Sequence, residues 1–405
     1  VMIMADNKDK KVLNVPALRF PGFKNSWDCT ILEKLSKKIG DGIHSTPSYD
    51  DDGTFYFING NNLNRGKIVI TSSTKRVSEK EAYKNNAENL EADSILMSIN
   101  GTIGNVALYN NEPIMLGKSA CYINSKDNVD KKFLFYYLQY PKTQSYFEAE
   151  LTGTTIKNLS LQSIRKTKIC IPTIEEQHKI SHFLQKIDER IATQNKIIER
   201  LETLIKGIVD SIFTANKFPK VPFKEIYVRA GEGGTPTTSN PEYYDNGTIP
   251  FIKIDDLQNK YIKTNKDCIT ELGLQKSSAW IVPANSIIYS NGATIGAISI
   301  NLFPVCTKQG ILGVVPKADI NVEFLYYFMT STAFTKAVER IVTEGTMRTA
   351  YLKDINYIPC PVPCSVKQDE IAKLLSTLSE KLENEVIFQM KLQKQKEFLL
   401  SHMFI

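Results

Sequence analysis

The sequence predicts an α+β protein in which two pseudo-symmetric α/β globular domains are joined by two long antiparallel coiled-coil helices. Two observations lead to this prediction. A pattern of about 190 residues occurs twice along the 405-residue chain. In each copy, short β-rich runs are followed by a heptad pattern of apolar residues. The expected segments are a first domain at 1–172, a first helix at 173–216, a second domain at 217–363 and a second helix at 364–405.

The repeat extends over nearly the whole chain. SILMSINGTIG at 94–104 returns as SIIYSNGATIG at 286–296, a shift of 192 residues. FLFYYL from Phe133 returns as FLYYFM from Phe324, a shift of 191 residues. Chance matches would not keep this order and spacing. The chain is therefore predicted to be one unit written twice.

The first part of each copy, roughly residues 15–170 and 218–360, is predicted to be a globular α+β domain. Runs such as TFYFIN and KIVIT, or TIPFIKI and SIIYS, are rich in β-branched and aromatic residues, and Gly, Asn, Pro and Asp clusters separate them. Amphipathic helices are expected near residues 133–140 and 322–330. We expect each domain to be compact, with a strongly bent sheet.

The second part of each copy is predicted to be a long coiled-coil helix. Its apolar residues recur at alternating steps of four and three, which is typical of a heptad seam. In the first copy the seam comprises Ile180, Leu184, Ile187, Ile191, Ile198, Leu201, Ile205 and Ile208, with Gln194 in the one gap. In the second copy it comprises Ile371, Leu375, Leu378, Leu382, Leu392 and Leu399, together with the polar residues Glu385, Gln389 and Lys396. Polar seam residues usually fix register. At about 1.5 Å per residue each helix spans on the order of 50 Å, and antiparallel pairing predicts a rod with one domain at each end.

Composition is typical of a soluble globular protein. No apolar run reaches the roughly 20 residues of a membrane span, and the first residues, VMIMADNKDKK, lack the apolar region of a signal peptide. We therefore expect a cytoplasmic protein without a membrane partner. Seven cysteines spread over a long chain predict free thiols in a reducing compartment. The net charge of +6 mildly favours a polyanionic partner.

Motifs for catalysis are absent or incomplete. Gly117-Lys118-Ser119 resembles the end of a phosphate-binding loop, but Glu112 occupies the place of the required glycine. His178 and His182 have the spacing of a zinc protease motif without its glutamate. We expect no catalytic, cofactor-binding or metal residues in this chain. Two alternatives stay open: a stand-alone DNA-modifying enzyme, and a coiled-coil adaptor whose paired domains bind another ligand.

Polar and basic side chains on loops of both globular halves are the candidate DNA-binding residues. Asn and Gln can pair with adenine, Arg and Lys with guanine or phosphate, and Ser and Thr with either base. In the first half the candidates are His44, Thr46, Tyr49, Lys67, Ser98, Asn100, Thr102, Lys118 and Lys157. In the second half they are Thr235, Thr237, Lys253, Asn291, Thr294, Lys308 and Arg348. Ordinary loop hydrogen bonding is the alternative for each of them.

The two helix entries resemble conserved regions of type I restriction-modification specificity subunits. CIPTIEEQHKISHFLQKIDERIATQNKIIERLETLIKGIVDSIF, from Cys170, is similar to their central conserved region, and CPVPCSVKQDEIAKLLSTLSEKLENE, from Cys360, is similar to the distal one. Gln177 and Gln368 occupy matching positions in these stretches. LRFPGF, GDGIHSTP and GGTPTT add further matches, so the resemblance covers essentially the whole chain.

The resemblance implies a non-catalytic DNA-recognition subunit. Its two target-recognition domains would each read one half of a split, asymmetric double-stranded DNA sequence, and the helices would set the spacer. Two methylation subunits would dock on this scaffold, and translocating restriction subunits would join them. S-adenosylmethionine, ATP and magnesium would belong to those partners. The seam residues with Gln177 and Gln368 are the coiled-coil and partner positions, while Ile99-Asn100-Gly101 and Asn291-Gly292-Ala293 are expected to discriminate between sequences.

Overall fold

The fold, obtained as a computed structural model, divides into two compact units. The first unit comprises Val1–Gln194 and Phe388–Ile405, and the second comprises Asn195–Ile387. Each unit therefore contains one globular domain and one part of each long helix. The structure describes residues 3–4, 14–85, 87–92, 94–153, 157–215, 218–292, 294–342 and 348–405. The expected discriminating residue Ala293 and most of the N-terminal VMIMADNKDKK stretch lie outside the described residues.

The first globular domain mixes short strands with short helices. Its strands are β1 (Ile3–Met4), β2 (Leu18–Arg19), β3 (Asp28–Ile31), β4 (Ser36–Asp41), β5 (Phe55–Ile58), β6 (Leu63–Asn64), β7 (Lys67–Ile68), β8 (Arg76–Val77), β9 (Ile95–Ser98), β10 (Val106–Leu108), β11 (Ile114–Leu116), β12 (Ala120–Ser125) and β13 (Lys168–Ile171). Its helices are α1 (Leu32–Leu35), α2 (Glu79–Lys84), α3 (Lys131–Leu138), α4 (Pro141–Ala149) and α5 (Leu161–Lys166), and the long helix α6 (Ile174–Ala215) follows.

The second globular domain is built in the same way. Its strands are β14 (Lys220–Pro222), β15 (Tyr227–Glu232), β16 (Ile249–Ile252), β17 (Tyr261–Ile262), β18 (Asp267–Ile269), β19 (Ile287–Ser290), β20 (Ile298–Asn301), β21 (Cys306–Thr307), β22 (Ile311–Pro316) and β23 (Pro359–Pro361). Its helices are α7 (Glu271–Gln275), α8 (Val322–Thr330), α9 (Thr332–Ile341) and α10 (Leu352–Ile355), and the long helix α11 (Ser365–His402) follows.

The sheets of the two domains correspond. The first domain has a sheet of order β10-β9-β12-β4 and a smaller one of order β11-β5-β8, and the second has β15-β22-β19-β20-β17 and β18-β16-β21. Strand β9 pairs antiparallel with β12, as β19 pairs with β22, so the repeated stretch forms the same central strand in both. The predicted α+β fold with two repeated domains and two long helices is confirmed. The expectation of one bent sheet per domain is wrong, because strands of two to six residues end at turns before they could continue from one sheet into the other.

A buried glutamine fastens each long helix to its globular domain. Gln177 accepts the backbone N–H of Asp130 at 2.9 Å and donates to the carbonyl of Pro172 at 2.9 Å. Gln368 repeats both bonds, with Asn321 N–H at 2.9 Å and Pro363 carbonyl at 2.9 Å. Both glutamines are 1% exposed. Both side-chain amides thus bond within the chain, and the assignment of these glutamines as coiled-coil and partner positions stays a prediction.

Replacing Gln177 by alanine should destabilise the first unit. The change leaves a part-buried N–H of Asp130 and the buried carbonyl of Pro172 without their partners, which costs on the order of 2 kcal/mol of unfolding free energy. Urea unfolding followed by the fluorescence of Trp27, in a Trp280→Phe background, measures this loss in the first unit. Gln368→Ala should leave that Trp27 transition unchanged.

The matched control is Gln395→Ala on the exposed side of α11. A surface substitution of this kind is expected to change stability by no more than about 0.5 kcal/mol. If the urea unfolding transitions of the Gln177→Ala and Gln395→Ala variants coincide, Gln177 does not fasten α6 to the first domain.

The heptad seam of α6 and α11 is buried where the helices pack on the globular domains. In the first unit the buried seam residues are Ile180, Leu184, Ile187, Ile191, Leu392 and Leu399. In the second unit Ile371 and Leu375 are buried, and Ile205 and Ile208 pack against the same core. The intermediate seam positions Ile198, Leu201, Leu378 and Leu382 are half-buried. Within the first unit the helices run antiparallel, because Asp188 pairs with Lys396 while Arg190 stacks on Phe388.

Two of the three polar seam residues of α11, Lys396 and Glu385, form ion pairs. The ammonium group of Lys396 lies 2.7 Å from the carboxylate of Asp188, which also accepts the hydroxyl of Tyr136 at 2.8 Å. Burial, followed by the nearby Asp188 charge, raises the pKa of Tyr136. Glu385 pairs with Lys381 of its own helix at 2.6 Å. An apolar seam would allow sliding, whereas the Lys396–Asp188 pair fits one register.

A buried lysine joins the second domain to α11. Lys260 donates to the hydroxyl of Ser376 at 2.7 Å and lies 3.3 Å from the carboxylate of Glu323. Its ammonium group also donates to Tyr327 at 3.1 Å. Burial lowers the pKa of Lys260, but the Tyr327 and Tyr261 hydroxyls and the Glu323 charge outweigh it, so the pKa is raised. The lysine is thus held as a cation within the unit.

The cysteines differ from expectation in one place. Cys29 and Cys170 form a disulfide between the paired strands β3 and β13. The expectation that all seven cysteines are free thiols is therefore wrong for these two, because antiparallel pairing places residues 141 positions apart directly opposite each other. Cys121, Cys306 and Cys360 are free and buried, as expected. Among the helices of the described ranges, none is both long enough and apolar enough to span a bilayer.

Candidate nucleic-acid interface

The repeated stretch forms the same turn in both domains. We name residues 98–104 the first tip and residues 290–296, of which 293 is not described, the second tip. In the first tip the N–H of Gly104 donates to the carbonyl of Ser98 at 2.9 Å, and in the second Gly296 donates to Ser290 at 3.0 Å. Both glycines have positive φ, +79° and +103°. This left-handed conformation favours glycine, which explains why both copies end in Thr-Ile-Gly.

Two further backbone bonds hold each tip against neighbouring loops. Ile99 N–H donates to the carbonyl of Ser119, and Asn291 N–H donates to that of Gly310, at 2.9 and 3.0 Å. The carbonyls of Ile99 and Asn291 then accept from Leu159 and Ala350 respectively, both at 2.9 Å. Each tip is thereby flanked by two loops. One loop lies before β12 or β22, and the other lies before α5 or α10.

These flanking loops carry cations beside each tip. Lys118 precedes Ser119 and Lys157 lies two residues before Leu159; Lys308 and Arg348 hold the comparable places in the second domain. All four side chains belong to exposed residues. Within the described part of the chain, no ion pair joins any of the four to a carboxylate. Each tip therefore has two exposed cationic side chains beside it.

The first tip also gathers other predicted residues. The amide of Asn100 donates to the carbonyl of Lys118 at 3.2 Å, and the N–H of Gly101 donates to the carbonyl of Lys157 at 3.4 Å. Thr102 is exposed at the end of the turn. The structure thus brings Asn100, Thr102, Lys118 and Lys157 together around one turn.

The other candidates of the first domain lie further along the same surface or apart from it. Residues 43–49 form one segment. It begins at Ile43, which forms a β-bridge with Gly117, and it ends at Tyr49, which forms a β-bridge with Val77. His44, Thr46 and Tyr49 are exposed on it, and His44 pairs with Asp41 at 2.8 Å. Lys67 is exposed on the separate β6-β7 hairpin and has no described contact with the first tip.

The candidates of the second domain are less uniform. Thr294 is exposed on the second tip, and the hydroxyl of Thr235 accepts the N–H of Gln309 at 3.3 Å beside Lys308. Thr237 is exposed two residues further on. Lys253 forms an ion pair with Asp267 at 2.9 Å, so its charge is already balanced.

Two predicted contact residues are buried. Ser98 is 0% exposed and accepts the N–H of Asn105 at 3.0 Å. Asn291 is also 0% exposed, and its amide donates to the carbonyl of Ala350 at 3.1 Å. The side-chain oxygen of Asn291 has no hydrogen-bond partner among the described residues. The expectation that these two side chains are presented on the surface is wrong, because both complete the internal hydrogen bonding of their tips.

Sequence reasoning missed the residues beneath the first tip. The hydroxyl of Ser119 donates to the side-chain oxygen of Asn59 at 2.8 Å and accepts the N–H of Gly60 at 2.8 Å. The stretch Asn59-Gly60-Asn61-Asn62 directly follows β5, and three amides around a glycine after a strand are a signal that could have found it. Over the described ranges, no three His, Cys, Asp or Glu side chains form a group suited to a metal ion.

Two copies of one α+β domain, each with a cationic turn and each carried by long helices, define a tandem-domain recognition protein. Comparison with known families makes this specific. The model of the type I restriction modification DNA specificity domain matches residues 31–203 and again residues 220–391. The chain therefore belongs to the family of type I restriction-modification DNA specificity subunits, with one target-recognition domain in each match.

Individual relatives agree with the family match. The chain is 22% identical over 402 residues to the putative type I restriction enzyme MjaX specificity subunit of Methanocaldococcus jannaschii, covering 93% of this chain and 92% of that protein. It is 24% identical over 397 residues to the MjaIX specificity subunit of the same organism, covering 92% and 91%. The fold is similar to the crystal structure of a type I restriction-modification S subunit from M. genitalium, with a TM-score of 0.57, 18% identity and coverage of 96% and 99%.

Proposed function

We propose that this chain is the non-catalytic subunit that reads double-stranded DNA for a type I restriction-modification complex, and that each target-recognition domain reads one half of a split, asymmetric target. The observation that supports this proposal is the pair of tips. Their backbone framework is the same, whereas the residues on it differ: Asn100 in one copy stands where the other copy has Gly292. A common framework with different contact residues suits two different half-sites.

The proposal extends to the assembly. Two methylation subunits would bind this chain, restriction subunits that translocate DNA would join them, and α6 and α11 would set the spacer between the half-sites. S-adenosylmethionine, ATP and magnesium would be held by those partners. A cytoplasmic location follows from the same proposal, because the DNA that such a complex reads lies there.

Binding of DNA by the chain copurified with its methylation subunit tests the proposal. Fluorescence anisotropy with labelled duplexes is expected to show binding that weakens steeply with salt, because lysine and arginine side chains displace counterions from phosphates. A complex that binds duplex DNA no more tightly than the methylation subunit alone does would contradict the proposal.

The double substitution Lys118→Gln and Lys157→Gln should weaken binding to every DNA sequence to a similar extent. Phosphate contacts carry no sequence information, so affinity should fall while the order of preferred sequences is kept. The slope of log affinity against log salt should become shallower by about 2. The anisotropy measurement above gives both quantities.

The matched control is Lys37→Gln with Lys367→Gln, which removes the same charge. Lys37 pairs with Asp127 at 2.6 Å and Lys367 with Glu370 at 3.0 Å, so neither ammonium group is available to a phosphate in the same way. An equal loss of affinity in the control would show that only total charge matters, and would remove the two tip-flanking lysines from the interface.

A further inference from the structure

A polar pocket of about 360 Å³ lies beside the first tip. We name it the Tyr49 pocket; the lining residues that matter here are Tyr49, Asn59, Asn61, Thr71, Ser73 and Lys75. Tyr49 is 46% exposed, and its ring meets the ring of Phe57 edge-on at 5.9 Å. An exposed aromatic ring held by a second ring gives an apolar surface that can contact the edge of a base or its sugar.

The charge of the pocket favours an anionic ligand. Lys75 is the one charged residue in its described lining, and its ammonium group lies 5.9 Å from the centre of the Tyr49 ring. In the described ranges Lys75 forms no ion pair with a carboxylate. A phosphate at the mouth of the pocket would therefore meet an available cation and no competing anion from the lining.

Two neighbouring asparagines of the pocket differ in whether their side-chain amides already form hydrogen bonds within the domain. Asn62 is used internally, because its oxygen accepts the N–H of Asn59 at 3.0 Å and its nitrogen donates to the carbonyl of Val69 at 3.1 Å. Asn61 is exposed, and no described residue forms a hydrogen bond with its side chain. An asparagine amide with donor and acceptor both available is the group that pairs bidentately with the edge of adenine.

The pocket is linked to the first tip through hydrogen bonds of one residue. Ser119 connects them, since its hydroxyl bonds to Asn59 at the pocket and its carbonyl accepts the N–H of Ile99 in the tip. A Cβ atom on Gly60 would stand 2.7 Å from the carbonyl oxygen of Ser119 and 2.9 Å from the Cβ atom of Ser98. Only glycine permits this close packing, which holds the Asn59 end of the pocket against the first tip.

The described residues at the corresponding place of the second domain have a different chemistry. Phe57-Ile58 aligns with Phe251-Ile252 in the repeat, which places Lys253 opposite Asn59. Lys253 is paired with Asp267 at 2.9 Å, on the strand that corresponds to β8. An ion pair thus occupies the position where the first domain has amides and an available cation.

We propose that the Tyr49 pocket is a specificity-determining site of the first domain alone, which takes the edge of one adenine of its half-site. Asn61 pairs with that base, Tyr49 packs against it, and Lys75 binds the adjacent phosphate. This inference rests on the proposed function and assigns one base position to one side chain.

The test uses the complete chain expressed with its methylation subunit, with base preferences measured by sequencing the bound members of a randomised duplex pool. Asn61→Ala is expected to relax one A·T position in one half-site, with a loss of discrimination on the order of tenfold, while the other half-site is unchanged. Lys75→Gln is expected to weaken binding to all sequences equally and to lower the slope of log affinity against log salt by about 1. Asn128→Ala, an exposed asparagine elsewhere in the first domain, is the matched control and should alter neither.

The outcomes separate this inference from the proposed function. A wild-type complex without a bipartite preference would contradict both. A normal bipartite preference that Asn61→Ala leaves intact, or relaxes in both halves, would overturn the pocket alone. Urea unfolding of the variant complex shows whether a loss of all binding comes from misfolding; in that case Asn61→Asp, which keeps size and polarity but repels the acceptor at N7 of adenine, decides the question in the same assay.

Discussion

Exchange of the first target-recognition domain for that of a related protein is expected to change one half of the DNA target completely and to leave the other half as it was. The reason is that each tip is held by loops of its own domain: Ser119 and Leu159 support the first, and Gly310 and Ala350 support the second. No described backbone bond at one tip involves the other domain. Methylome sequencing of cells that carry the exchanged chain and its methylation subunit measures the outcome.

The exchange should keep α3, because this helix contacts α6 and the residues that follow α11. Phe133 and Tyr137 contact Phe404 at ring-centre distances of 5.4 and 5.3 Å, and Tyr136 donates to Asp188. Replacement of residues 36–125, from β4 to β12, together with the segment 150–160 between α4 and α5, preserves these contacts and exchanges both loops that hold the first tip. The reciprocal exchange in the second domain should change the opposite half. A change in both halves, or in neither, after a folded exchange would contradict independent reading.

Insertion of four residues into α6 is expected to lengthen the gap between the half-sites by about 2 base pairs. Four helical residues add about 6 Å, and successive base pairs are separated by about 3.4 Å. Four residues are also close to one helical turn, so the seam is only locally unwound. Insertion after Glu199, an exposed residue, avoids the buried seam positions. Methylome sequencing reports the gap and both half-site sequences together.

The control insertion adds the same four residues to the exposed turn at residues 126–128. This turn is outside the helices, so the gap should stay constant. An α6 insertion that leaves the gap unchanged, or that alters the sequence of either half, would contradict the role of the helices as the spacer.

The parts of the structure that were predictable are those that depend on repetition and periodicity. The two copies of the Ser-x-x-x-Ser-x-x-x-Thr-Ile-Gly stretch predicted a shared turn, because Gly104 and Gly296 both need a backbone conformation that other residues rarely adopt. The heptad pattern predicted both long helices, because the apolar residues that bury one face of a coiled-coil helix recur at the same spacing in any sequence.

The parts that were not predictable depend on which side chains meet across the chain. Ile99 and Asn291 occupy the same place in the repeat, yet the polarity of Asn291 suggested a surface residue, whereas the framework buries it against Ala350. No local pattern marks Lys260 as buried, and only the folded chain brings Glu323 and three tyrosines around it. The Cys29–Cys170 pair likewise follows from strand pairing that no local pattern encodes.

The central claim is that two domains built on one framework read two different half-sites. Methylome sequencing of cells that express the unaltered chain with its methylation subunit tests it most directly. We expect one methylated motif composed of two unlike half-sites separated by an unspecified gap of constant length. A single uninterrupted motif, two identical half-sites or a gap of variable length would contradict it.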